Sequence, residues 1–445
     1  MNYNTILDPL REAGLPCFNG QFHGPWQKVD PTYSPYDVHR MYMLIKADNS
    51  NPTYPRGSED GVSRLMMYSA YDEETPWQEL DFQYSPTNVR ECSATREPDN
   101  IVHVVYTKLT PYTICANKFM MDSLSGGDWG TEYASTIAPT VPNLGIFATY
   151  RATDGKLIIL YGNISSGSYT ACYYTTYDVF SHTWSAATLV STGGTNYAYP
   201  MGICIDSDDR THFIFVEAST ASGAYQFCHR ALDSSDTLAV LQGTGIYTRT
   251  GGTSYCGFSG APVIFKETSD TDYTIYVPYA KYNSGDGKHY PAMIKGYTAN
   301  SDTPVWTNED VSTSYQVDKG TLRFRSFFLC VESPVGSAVS NLALYFADTE
   351  ASADPWHGKN SLWISRRLNG LWQNIPAHVW TPNYPTNTLD DTISSISAAS
   401  LLESGLYAFI QRGNPGCDYN YGNWTGSIFI PTADEVAAVS SAFAW

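Results

Sequence analysis

The residues best suited to chemistry lie in segments rich in Tyr, Trp, Asn, Asp and Gly. These are Asp48–Gly61, Asn196–Pro200, Thr253–Gly260, Lys281–Pro291, Asp348–Asn360, Trp380–Asn387 and Arg412–Trp424. Such a mix suits a sugar, whose C–H faces stack on aromatic rings and whose hydroxyls pair with amides and carboxylates. The ligand-binding candidates are Tyr197, Tyr199, Tyr255, Tyr282, Tyr290, Trp356, Tyr384, Tyr419 and Tyr421. Tyr also offers contact area at low entropy cost, so the same segments read as a surface for a protein partner. Arg323 and Arg412, with Arg90 and Arg325 beside them in the pattern, supply forks that grip carboxylates. They extend the candidate ligands to acidic sugars, while salt bridging inside an Asp-rich chain competes for the same arginines.

Catalysis has thinner support. If the chain is an enzyme, His289 and Tyr290 are the groups placed to move a proton. His103 and His212 fall inside strand-like runs and read as core or channel filling. The nine His show no metal spacing, and Asp206, Asp208 and Asp209 read as a turn, short of a calcium loop's ligand count. The nine Cys include no CxxC pair and several sit in apolar runs, which reads as buried thiols. Neither GxSxG nor a phosphate-binding loop is present. The expectation is no metal and no cofactor, and the reading leans away from an enzyme.

Composition limits the partners. A net charge of −18 repels a phosphate backbone and an anionic membrane surface, so neither nucleic-acid binding nor membrane insertion is expected. No run reaches transmembrane length, and the first residues carry no secretory signal pattern. Synthesis in a cytosol follows as the expectation, with any extracellular role reached by another route such as release in a virus particle. Charged residues make up only 16%, and polarity comes from Ser, Thr, Asn, Gly and 34 Tyr. That balance favours short strands and turns over helices.

Those strands repeat. A Trp opens a short alternating segment at Trp26, Trp77, Trp129, Trp184, Trp306 and Trp372, and Leu238 takes the same place in the wide gap. The seven marks lie 51 to 68 residues apart. An Asp- or Gly-type turn precedes an apolar run in step with them, at Asp99-Asn100, Asp154-Gly155, Asp208-Asp209, Asp270, Gly336 and Ser404-Gly405. Each unit reads as four strands, in the second unit Arg90–Glu97, Ile101–Lys108, Tyr112–Met120 and Trp129–Thr136. Four-stranded units repeated about an axis are propeller blades. The fold class expected is all-β, a seven-bladed β-propeller over residues 24–431. Its last unit shows three strands, so Gly24–Val29 is expected to close the ring as that unit's outer strand. Residues 1–23 carry a short helix starting at Asp8-Pro9. Residues 432–445 open on a capping box, Thr432 and Glu435, and read as an amphipathic helix that packs on the ring or docks to a larger assembly.

The segment Tyr177–Trp184, YDVFSHTW, resembles a degenerate Asp-box of the BNR-repeat, sialidase-type propellers, with Phe180 where glycine is expected. The stretch from Phe147 to Ala218 is similar to the BNR-family propellers that include ulvan lyases. This resemblance implies the same fold and a glycan setting. It does not carry the chemistry over: the lyases' Tyr and Arg fall at Ile146 and Gly162, and their histidines near Arg90–Cys92 and Thr107. A sialidase needs three channel arginines, an Asp and a Tyr–Glu pair, and the sequence offers only arginines. The leading expectation is a carbohydrate-recognising propeller in a virion, phage tail or adhesive surface, with glycan as partner and other virion subunits met through 1–23 and 432–445. A polysaccharide lyase or glycosidase is the second reading, and a propeller that binds only proteins is the third.

Overall fold

In the computed structural model every described element is a β-strand. The structure describes residues 20–27, 41–47, 63–70 and 78–81, nearly all of 84–247 and 262–313, and the strands between 327 and 430. The strands form antiparallel sheets in chain order. The first sheet is β1 (Gly20–Gln27), β2 (Met41–Ala47), β3 (Arg64–Ala70) and β4 (Gln78–Leu80). The second is β5 (Val89–Glu97), β6 (Ile101–Leu109), β7 (Tyr112–Asp122) and β8 (Gly126–Trp129), with β9 (Tyr133–Ala134) pairing β7. The third is β10 (Ile146–Arg151), β11 (Lys156–Ser166), β12 (Tyr169–Asp178) and β13 (Thr183–Trp184), with β14 (Thr188–Leu189) on β12. The fourth is β15 (Tyr197–Ile205), β16 (Thr211–Ala218), β17 (Gln226–Leu232) and β18 (Gln242–Tyr247). The fifth is β19 (Val263–Phe265), β20 (Thr274–Asn283), β21 (Lys288–Tyr297) and β22 (Val305–Asp310). The sixth is β23 (Phe327–Glu332), β24 (Asn341–Ala347), β25 (Leu362–Leu368) and β26 (Leu371–Trp372), with β27 (Ala377–Trp380) on β25. The last is β28 (Ile393–Leu401), β29 (Gly405–Arg412) and β30 (Ser427–Ile430).

The first strands of successive sheets lie side by side, from β1 through β5, β10, β15, β19, β23 and β28, and β28 lies against β1 again. This closed circuit of inner strands is a β-propeller. The cores sit between neighbouring sheets. Val102, Val104 and Tyr106 of β6 pack with Leu44, Leu65 and Met67 of the first sheet, while Val105 of the same strand packs with Leu157 and Ile159 of the third. Strands buried on both faces must read as apolar runs, and all eight residues of β16 are buried.

Tight hairpins explain the turn marker. Asn100, Gly155 and Asp209 join first to second strands and His182 and Asp236 join third to fourth, all with φ between 59° and 65°. Only Gly and, among the rest, chiefly short polar residues take that left-handed conformation readily. The Asp-box resemblance lands in one such turn. Asp178 accepts the backbone N–H groups of Phe180 and Ser181 at 2.9 and 2.8 Å. The left-handed position falls on His182, so Phe180 has no need to be glycine.

Two expectations are corrected. The segment Gly24–Val29 is not the outer strand of the last sheet. Gly20–Gln27 runs antiparallel to β2 as the first, inner strand of the first sheet, with a register break between His23 and Trp26. It takes Gly20–His23 from the stretch expected to precede the ring, and among the described residues the last sheet ends at β30. Apolar alternation around Trp26 identifies a strand but carries no information on its rank in a sheet. Leu238 does not open an outer strand either. It makes an isolated bridge to Leu232, and β18 is the fourth strand there. The helices expected in 1–23 and 432–445 lie outside the described residues. No helix among the described residues is long and apolar enough to cross a membrane.

Buried polar groups staple neighbouring sheets. The Arg151 side chain, 1% exposed, holds Asp154 of its own turn and Asp236 of the fourth sheet's turn, each at 2.6 Å. A second chain of contacts crosses from the fourth sheet to the fifth. Trp306 Nε1 donates to Gln242 Oε1 at 3.1 Å and Gln242 Nε2 donates to the Pro304 carbonyl at 2.9 Å, which fixes the amide's orientation. His229 Nδ1, 3.2 Å from that oxygen, must then donate to it. His212 Nδ1 lies 3.0 Å from His229 Nε2, and His212 Nε2 lies 3.2 Å from Asp206.

Candidate functional site

In each sheet the loops between second and third strands, and the links from one sheet to the next, reach one rim. Among the sequence candidates on that rim, Tyr282, His289 and Tyr290 share the β20–β21 hairpin. Tyr282 faces His289 across the ladder, with ring centroids 5.2 Å apart, and the Tyr290 hydroxyl donates to Asp286 at 2.6 Å. His289 and Tyr290 are successive residues of a regular strand, so they project from opposite faces of the sheet. They therefore do not converge on one reacting atom. Tyr197 starts β15 with its ring 5.1 Å from Tyr169. Tyr199 is buried in the core between the fourth and fifth sheets and packs near Tyr225. Arg412 ends β29, its side chain outside the described residues. Tyr255, Trp356, Tyr384, Tyr419, Tyr421 and Arg323 also lie outside them.

A concave site among the described residues lies elsewhere. A cleft of about 450 Å3 opens between the first and second sheets, lined by Tyr84, Ser85, Pro86, Thr87, Asn117, Trp129, Gly130, Thr131 and Glu132. Two short segments make its walls. The link from β4 to β5 is pinned where Leu65 N–H donates to the Pro86 carbonyl at 2.9 Å and Arg64 Nη1 donates to Ser85 Oγ at 3.4 Å. Facing it is the chain leaving β8. Trp129 N–H donates to the Asp81 carboxylate at 2.9 Å, which ties the two walls, and Gly130 N–H donates to the Lys118 carbonyl at 2.8 Å. Tyr84 is 65% exposed, whereas Trp129 is buried, edge-on to Phe119 with centroids 5.3 Å apart. The Trp129 indole N–H is buried with no hydrogen-bond partner.

Glu132 sets the electrostatics. Its Oε1 accepts Lys108 Nζ at 2.5 Å and its Oε2 accepts the Tyr106 hydroxyl. The carboxylate is 31% exposed and the lysine behind it 20%. Burial, then the charge and hydrogen bond of Glu132, push the Tyr106 hydroxyl well above its ordinary value. Burial, then the same carboxylate, raises the Cys115 thiol to about 12. Sequence reading nominates no such Tyr–Glu pair, since Tyr106 and Glu132 stand 26 positions apart. This pair cannot serve as a nucleophile: Tyr106 is fully buried and its ionisation is opposed. Among the described residues Glu132 is the one carboxylate lining the cleft, whereas glycoside hydrolysis commonly uses two. The arrangement can bind and orient. No cluster of three or more His, Cys, Asp or Glu among the described residues is placed to hold a metal.

No protein-family model matches the chain, and no curated protein matches it in sequence. Solved structures of similar fold include the polysaccharide lyase Uly1, at 10% identity over 92% of this chain and 90% of that one, with a TM-score of 0.47. The GH93 α-L-arabinofuranosidase of Fusarium graminearum, solved with arabinobiose, is 14% identical over 79% of this chain and 96% of its own, with a TM-score of 0.45. A Hadza microbial sialidase is 8% identical over 84% and 74%, with a TM-score of 0.47.

Proposed function

We propose that this chain is a carbohydrate-recognising propeller that takes a sugar ring in the cleft between its first two sheets. The observation that carries the reading is the cleft's lining: an exposed Tyr84 ring beside amide, hydroxyl and carboxylate groups from Asn117, Ser85, Thr87, Thr131 and Glu132. An aromatic face with planar acceptors around it is what a pyranose needs, one face apolar and the rim polar. Recognition without turnover is favoured because the described lining holds a single carboxylate, already engaged by Lys108 and Tyr106. The test is titration of the full chain with an oligosaccharide panel, alongside Tyr84→Ala. Losing an aromatic anchor costs about 1–2 kcal/mol, or roughly five- to thirtyfold in Kd. Tyr84 is mostly solvent-exposed, so the melting temperature should hold. Binding that is unchanged in Tyr84→Ala would place the sugar elsewhere.

We also propose a place on a virion or other adhesive surface, with 1–23 and 432–445 as segments that meet other subunits. Its support is compositional: few charges, and Tyr-, Ser-, Gly- and Thr-rich loops. Isolation of particles that contain the chain with bound subunits tests it, and a chain found only free in solution would remove it.

A further inference from the structure

We infer that the cleft selects neutral sugars over acidic ones and that Glu132 makes the choice, an inference that rests on the cleft being the sugar site. Among the described residues no Lys or Arg lines the cleft. Lys108 sits behind Glu132 on its Oε1, Arg64 behind Ser85 on its Oγ, and the Lys118 stem lies behind Gly130. What faces the ligand is a carboxylate with about four acceptor sites, of which Lys108, Tyr106 and the Cys115 thiol take three, leaving one lone pair. A sugar hydroxyl can donate to that lone pair in a charge-assisted hydrogen bond. A uronate or sialate would set a second carboxylate beside the first, with no cation among the described lining residues to pair it. The chain's net charge of −18 adds to the repulsion. Arginine forks for acidic sugars were expected from the sequence at Arg323 and Arg412; Arg323 and the Arg412 side chain lie outside the described residues.

Matched probes separate the outcomes. Hexose trimers bearing C6 hydroxymethyl groups are compared with the same trimers oxidised to C6 carboxylates. The native chain should bind a hexose trimer about tenfold tighter than its uronate, the scale of one like-charge contact near a surface, reduced by the Lys108 partner of Glu132. Glu132→Gln leaves Lys108 uncompensated, so it should weaken hexose binding and narrow or invert the preference. Lys108→Met removes the cation instead and should weaken uronate binding further. Tyr84→Ala should weaken every trimer that binds the native chain. A uronate that binds the native chain as tightly as its hexose, and loses affinity in Tyr84→Ala, overturns the selectivity while leaving the cleft as the site. Absence of binding by every trimer, or binding indifferent to Tyr84→Ala, overturns the site and the selectivity with it.

Discussion

A single glycine shows how the tight turns work. Gly155 has φ +65°, and a Cβ there would stand 2.1 Å from Cε2 of Phe180. Phe180 is 74% exposed and can swing away, so the lasting cost of a side chain is the backbone angle. Gly155→Ala is expected to destabilise by about 1–2 kcal/mol, the price of a non-glycine residue held in the left-handed region. Phe180→Ala should not recover it. Full recovery in the double variant, measured by denaturant unfolding, would put the cost in the ring contact instead. Such residues were legible in advance: Asn100, Gly155 and Asp209 sit at turns the sequence marks, because the requirement is local. The cleft residues were not. Tyr84 and Glu132 are 48 positions apart in segments of ordinary composition, and only sheet-to-sheet packing brings them together.

At the scale of elements, the strands of the second sheet match their sequence reading to within two residues, except the fourth. There Trp129 ends the strand Gly126–Trp129, where the sequence placed it at the start. Trp184, Trp306 and Trp372 do lie on outer strands, β13, β22 and β26. Trp26 lies on an inner strand, and its neighbours in sequence look the same as theirs. Hydrophobic alternation reports that a strand has a covered face; it does not report which strand lies beside it. His212, expected as core filling, is indeed buried, but as one link in a hydrogen-bonded chain between sheets.

That chain makes stability depend on acid. Burial pushes His229 down to about 3, helped by His212 beside it. Burial works against the Asp206 carboxylate as well, but hydrogen bonds from His212 and from the Arg210 N–H, with the His212 charge, outweigh it and hold Asp206 below its usual range. A depressed folded value means that the unfolded chain takes up the proton first. For His229 the loss of stability begins as pH falls below about 6.5, the unfolded value, and grows until the folded ring protonates near 3. Asp206 adds its own loss below about 3.9. Melting temperatures taken from pH 7 to pH 4 should therefore fall, and His229→Gln should flatten the upper part of that range. Equal slopes in the two proteins would remove His229 from the account. The same bonds fix His229 as the Nδ1–H form.

For the molecule as a whole, each core is shared by two sheets, so no sheet is covered without its neighbours. β1 contributes twice, through its ladder to β2 and its packing on β28. A chain begun at residue 41 should therefore lose its single cooperative calorimetric transition. A truncated chain that melts as sharply as the full one would show that β1 is dispensable.

The junction between β1 and β28 differs in kind from a shared ladder. Within each sheet, strands are joined by backbone hydrogen bonds, and elsewhere around the circuit a covalent link also runs from one sheet to the next. Among the described residues, packing alone joins the sheets at this seam. A load applied through Gly20 and Ile430 falls on it directly, so in a force spectrum it should part first, at low force, with the remaining sheets yielding afterwards as they are peeled in turn.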